Sequence, residues 1–230
     1  MILEVIATSV LDAKLAQEYG ADRIELISGI VEGGVTPSVG LIEQVVKAVD
    51  IPVNVMLRPH ANSFRYDEDD LAVMQRDARV IRESGAAGIV MGMLDERGEI
   101  DTAALELLLG ETGELAVTFH RAFDELADRR AALELLSRYP AIRKILTSGG
   151  KPSALDAKEE IAELARLSEG RSLDILAGSG LGLVSLDEFI RLTGVREVHM
   201  GTGVRRNGRA LEPIDPDKLR AAAEIVRRYK

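Results

Sequence analysis

The chain has 230 residues, with 46% apolar and only 3% aromatic residues, and a formal net charge of −9. That length suits one α/β barrel or two small domains, and the core must be built from Ala, Val, Ile and Leu. The acidic balance and the lack of tryptophan exclude a phosphate-backbone or base-stacking surface. With no cysteine, disulfides, thiolate nucleophiles and Cys-based zinc sites are excluded as well.

Eight short apolar runs read as strands: Ile2–Thr8, Arg23–Ile27, Val53–Arg58, Gly88–Met93, Leu115–His120, Lys144–Thr147, Leu173–Ala177 and Glu197–Met200. Helical patterns lie between them, at Val10–Tyr19, Ser38–Val49, Glu68–Ser84, Thr102–Leu109, Arg129–Arg138, Ala154–Leu167, Leu186–Leu192 and Asp217–Tyr229. Gly20 and Gly85 mark helix ends, and Pro37 and Pro216 mark helix starts. Eight βα units predict a single (β/α)8 TIM-type barrel over residues 1–230, its C-terminal helix packed on the barrel. A doubly wound sheet would leave the last two units without a place. No basic, apolar leader opens the chain and no run approaches the roughly 20 apolar residues of a membrane span, so the reading is cytoplasmic.

Alternation along the strands places chemistry inside the barrel. Helices cover the outside, so the polar face of each strand must point inward. Glu4, Glu25, Arg58 and His120 then form a central network, joined by His199. A structural ion-pair plug is the plain reading of such a network. The sharper reading is an acid–base site at the C-terminal strand ends, with carboxylates ionised beside Arg58, His120 titrating near neutrality, and Arg58 and Arg121 as charge stabilisers. The polar segment Pro59–Asp67 lies on the same rim as a candidate lid.

Glycine and hydroxyl residues follow three consecutive strands: Thr147, Ser148 and Gly149; Gly178, Ser179 and Gly180; Gly201 and Thr202. Loops after the seventh and eighth strands of barrels often hold a phosphate, so these residues are candidates for binding an anion. Arg205–Arg209 reads as a solvated basic loop. Met56, Met91, Met93 and Met200 fall on strands and read as core filler, although thioethers suit Cu(I). The three histidines lack the spacing of a zinc helix.

Several strings resemble a known family. Leu3-Glu-Val5, Gly20-Ala-Asp-Arg-Ile-Glu-Leu26, Glu32-Gly-Gly34, Thr36-Pro-Ser38, Met56-Leu-Arg-Pro59, Thr118-Phe-His-Arg-Ala-Phe-Asp124 and Leu146-Thr-Ser-Gly149 are similar to the CutC-like copper-homeostasis proteins, in unbroken order from Met1 to Met200. The resemblance implies a TIM barrel, a cytoplasmic location, a homo-oligomer and a part in copper binding or handling. Many members carry cysteine where this chain has Ile6 and Ile27, so any copper here falls to Met and His. The alternative is a lyase-, isomerase- or hydrolase-type barrel enzyme acting on a small anionic or phosphorylated substrate.

Overall fold

The computed structural model describes all residues from Met1 to Lys230. Its parallel strands close in sequence order into a barrel: β1 (Ile2–Ala7), β2 (Arg23–Leu26), β3 (Val53–Met56), β4 (Gly88–Met91), β5 (Ala116–Phe119), β6 (Ile142–Thr147), β7 (Asp174–Gly178) and β8 (Glu197–Met200). The helices are α1 (Val10–Glu18), α2 (Val39–Ala48), α3 (Glu68–Glu83), α4 (Thr102–Thr112), α5 (Arg129–Leu136), α6 (Lys158–Ser168), α7 (Leu183–Thr193) and α8 (Pro216–Arg227). Closure is made by β1 against β8, in register from Ile2 with Glu197 to Val5 with Met200. None of the helices is long and apolar enough to cross a membrane.

Local chemistry sets the helix starts. Ser9, Ser38, Asp67, Asp101 and Asp128 each accept a backbone N–H of the following first turn, and α3 closes a full capping box between Asp67 and Asp70. Two helices start differently from the sequence expectation. The stretch from Ala154 splits into a 3-10 turn (Ala154–Asp156) and α6, because Ala157 leaves helical geometry at φ −132°. Helix α7 starts three residues early, behind Gly182, which provides no side-chain cap.

Burial divides the molecule in two. A core of 56 residues fills the shell between strands and helices, supplied by outward strand residues such as Leu3, Val5, Ile24 and Leu26. A separate cluster of only three buried residues, Ile27, Met56 and Val90, packs with Ile6 and Ile30 at the C-terminal mouth. Between them the barrel interior is polar: Glu4, Arg23, Glu25, Asn54, Thr118, Glu197 and His199 are all buried.

The basic loop after β8 is exposed over residues 206–209, as its composition suggests, but Arg205 at its start is not. Arg205 is 2% exposed; it pairs with Asp12 at 2.8 Å and donates to the carbonyls of Ile6 and Glu212. An arginine out of water at a barrel rim needs such a set of acceptors, and Asp12 also accepts from Thr8.

Candidate functional site

The polar interior is organised around Arg23. Strand register sets Glu4 beside both Arg23 and His199. Arg23 Nε donates to Glu4 at 2.5 Å, and its Nη2 donates to Glu197. Asn54 Nδ2 donates to the same Glu4 oxygen as Arg23 at 3.3 Å, and His199 Nδ1 lies 2.9 Å from the other Glu4 oxygen. Burial alone would raise Glu4, yet Arg23 and His199 hold its carboxyl down at about 2. Glu4 is thus a fixed anion beneath the mouth, and it orients the His199 ring.

Glu25 stands one inward position higher. Its Oε2 is 3.7 Å from His199 Nε2, and its Oε1 has no hydrogen-bond partner. Burial and the neighbouring Glu4 charge push Glu25 up to about 7, against the pull of His199 and Arg23. Burial disfavours the charged form of His199, but Glu25 and Glu4 outweigh it and raise its pKa. Glu25 and His199 therefore form the pair poised to exchange protons near neutrality.

His120 behaves differently from the sequence expectation. Its Nδ1 accepts the N–H of Ala122 at 3.2 Å, which leaves the proton of a neutral ring on Nε2. Burial, reinforced by the Arg58 charge, drives its pKa down to about 3. His120 is a neutral donor at pH 7, not the group titrating near neutrality, and Nε2 lacks a partner. Arg58 likewise is not paired with a carboxylate. Its Nη1 reaches the carbonyls of Glu32 and Gly34, its guanidinium lies 4.6 Å from the Phe64 ring centroid, and its Nε is unpartnered.

Glu25, Arg58, His120, Arg121 and His199 line one cavity of about 220 Å³ at the mouth, while Glu4 lies below it. Phe64 from the Pro59–Asp67 segment forms part of its wall, 4.8 Å from the His120 ring. That segment is held down: Leu94 N donates to the Phe64 carbonyl, and His60 Nε2 meets Asp70 at 3.0 Å. Phe64 is absent from the sequence-derived site, although its position in the polar rim segment was the available signal. Gly92 makes room for the imidazole, because a Cβ there would lie 2.5 Å from His120 Nδ1. Gly92→Ala should therefore displace the ring and destabilise the fold by about 1–3 kcal/mol, the usual range for overpacking. Urea unfolding measures this, and an unchanged midpoint would refute the packing argument.

The three glycine-bearing loops part company. The Thr147 and Ser148 hydroxyls and the N–H groups of Ser148 and Gly150 all donate to Asp124, while Gly149 N donates to Thr147 Oγ1. Asp124 also takes Arg121 Nε at 2.8 Å. This loop already encloses an anion belonging to the chain, so its donors are not open to a ligand as the sequence reading expected. The other two remain open. The N–H groups of Ser179, Gly180, Leu181 and Gly201 have no acceptor within the protein, and these residues border the cavity with Thr202. Gly178 ends β7 beside His199. The N-terminus of α7, uncapped by any side chain, follows directly.

The family model for CutC matches residues 1–204. The chain belongs to the CutC family. Its relatives include the family protein CutC of Yersinia enterocolitica, 40% identical over 201 residues, covering 87% of this chain and 78% of the relative. The CutC protein of Klebsiella pneumoniae is also 40% identical, covering 88% and 80%. Among solved structures, the Streptococcus agalactiae protein bearing the copper-homeostasis name CutC superposes with a TM-score of 0.81 at 28% identity, covering 86% of this chain and 98% of that one. Phosphoribosyl anthranilate isomerase from Thermococcus kodakaraensis, at TM-score 0.64 and 19% identity over 98% of each chain, shares the barrel fold.

Without cysteine, the soft donors of this CutC-family chain are methionine and histidine, of which Met56, His120 and His199 line the mouth. The one His/Asp/Glu group near enough to hold an ion is Glu4, Glu25 and His199, with ligand atoms within 4.8 Å of one another. Two carboxylates and an imidazole suit harder ions, and both Glu4 oxygens are already engaged.

Proposed function

We propose that the mouth of this barrel is the active site of an enzyme acting on a small anionic substrate. One observation carries the reading: Glu25 Oε1, Arg58 Nε and His120 Nε2 are buried polar atoms without partners, and all three residues line one cavity. Leaving a buried polar group unsatisfied costs about 1–3 kcal/mol, so three at one place suit a ligand that completes them. Free backbone donors at Gly180, Leu181 and Gly201, the α7 N-terminus and the Arg121 side chain support an anionic, phosphate-like group on the β7–β8 side. Gly178, Ser179 and Thr202 shape that side of the mouth. In this reading Glu25, steadied by His199 and Glu4, exchanges the proton, and Arg58 and His120 donate to developing negative charge.

Copper handling is the second reading, supported by family membership and by Met56, His120 and His199 lining the same cavity. Anaerobic thermal-shift titration with inorganic phosphate, sugar phosphates and Cu(I) separates the two. A ligand at 100 times its dissociation constant adds about 2.7 kcal/mol of stability. Stabilisation by phosphorylated compounds, weakened about tenfold in affinity by Arg121→Ala, is the expected result. Stabilisation by Cu(I) alone would replace the enzyme reading with the copper one.

A further inference from the structure

We infer that the reaction at this site is proton transfer at carbon: removal of a C–H proton next to the carbonyl of a small phosphorylated hydroxy-aldehyde or hydroxy-ketone by Glu25, with His120 and Arg58 holding the carbonyl oxygen. The inference rests on the anionic-substrate reading above and adds the reaction class and the substrate class.

The cavity narrows the chemistry. No lysine or cysteine lines it, so neither a Schiff base nor a thiol adduct can form on the protein. The Ser179 hydroxyl is turned away, donating to the Pro152 carbonyl at 2.7 Å. What faces the cavity is one carboxyl group with an unpartnered oxygen and two unpartnered N–H donors. A carbonyl oxygen has two lone pairs and accepts two such donors; the carboxylate is then the group available to the neighbouring C–H.

The donors also suit an oxyanion more than a proton acceptor. His120 is fixed as a neutral donor by the Ala122 N–H on its other nitrogen and by the Arg58 charge. A neutral imidazole beside a carboxylate base is the division of roles that enolisation uses, because the imidazole polarises the carbonyl without protonating the base. Phe64 covers both donors and limits their access to water.

The step balances without a co-reactant. The C–H bond breaks, its proton goes to the Glu25 carboxylate, and the electron pair forms the C=C bond of an enediolate. The carbonyl oxygen takes the negative charge against His120 Nε2–H and Arg58 Nε–H. Protonated Glu25 then returns the proton to either carbon, which gives exchange or isomerisation. Isomerisation also moves the hydroxyl proton to the former carbonyl oxygen, while His199, its ring held by Glu4, stands 3.7 Å from the Glu25 carboxyl and steadies it.

The experiment incubates the protein in deuterium oxide at neutral pH with dihydroxyacetone phosphate, glyceraldehyde 3-phosphate and the common pentose and pentulose 5-phosphates. Proton NMR reads loss of the C–H signal next to the carbonyl, and thermal shift reads binding of the same compounds. We expect exchange with at least one compound, lowered about 10³-fold or more in Glu25→Gln and about 10²-fold in His120→Ala, with the thermal shift kept in Glu25→Gln. Gln is isosteric with Glu and removes a buried acid, so that variant should fold. Binding without exchange in the wild type would overturn the proton-transfer inference and leave the anionic-site reading standing. Neither binding nor exchange would overturn both. Exchange that persists in Glu25→Gln would remove Glu25 as the base and overturn the inference as stated.

Discussion

Arg23→Met should unfold this protein more readily than any substitution at the mouth, lowering stability by about 3–5 kcal/mol. Arg23 is the only arginine or lysine hydrogen-bonded to Glu4, and it is also the partner of Glu197. The Glu4 side chain is 1% exposed and that of Glu197 10%, so neither carboxylate can turn to water. Methionine fills much of the volume but leaves Glu197 without its arginine partner and Glu4 with only His199 and Asn54. Against the 5–15 kcal/mol typical of a domain, the loss is a large fraction of the whole. Urea unfolding at pH 7 with an unchanged slope measures it. Adding Glu4→Gln and Glu197→Gln to Arg23→Met should recover most of the loss. A single-variant loss below about 1 kcal/mol would mean that the interior network contributes little.

Glu25→Gln should act in the opposite direction, and only above mildly acidic pH. In the folded chain Glu25 titrates at about 7 against an ordinary 4.5. Between those values the unfolded chain has lost this proton while the folded chain still holds it, so Glu25 makes stability fall as pH rises. Below 4.5 both states are protonated and the penalty is absent; above 7 it is complete, at about 3 kcal/mol by linkage. Glutamine escapes the penalty but deprives His199 of a carboxylate neighbour, so we expect a net gain of about 2 kcal/mol at pH 8. Urea midpoints at pH 4.5 and pH 8 should show the variant diverging from wild type only at the higher pH. An equal difference at both values would show that Glu25 is not a buried acid with a raised pKa.

Much of the architecture was legible because each strand is a compact apolar run with a glycine or polar stop. The strand ends ran long at Arg58, Met93 and His120, since the inward–outward alternation continues past the last ladder hydrogen bond onto the rim. Strand β6 begins at Ile142, two residues before the expected start, because the charged Arg143 and Lys144 disguise it. Helix α4 runs through Gly110 to Thr112, past the expected end at Leu109.

The site was legible as a set of positions but not as a set of partners. Alternation brought Glu4, Glu25, Arg58, His120 and His199 to the barrel interior, and no length of sequence could show which cation meets which carboxylate. Register decides that: Glu4 faces Arg23 across the β1–β2 ladder, whereas Arg58 reaches loop carbonyls. The loop after β6 was misread for a related reason. The 3-10 turn Arg121–Glu125 carries Asp124 onto the donors of Thr147 and Ser148, a contact between segments 23 residues or more apart.

The separation between the large outer core and the small polar interior bears on how this barrel can change over generations. The residues that hold the fold together face the helices, whereas the residues that face the cavity contribute almost nothing to that packing. A lineage can therefore exchange mouth residues while the outer shell stays intact. The exception is the Arg23 layer, where acceptors and donors must be replaced together. Inherited novelty should accumulate above that layer and stall within it.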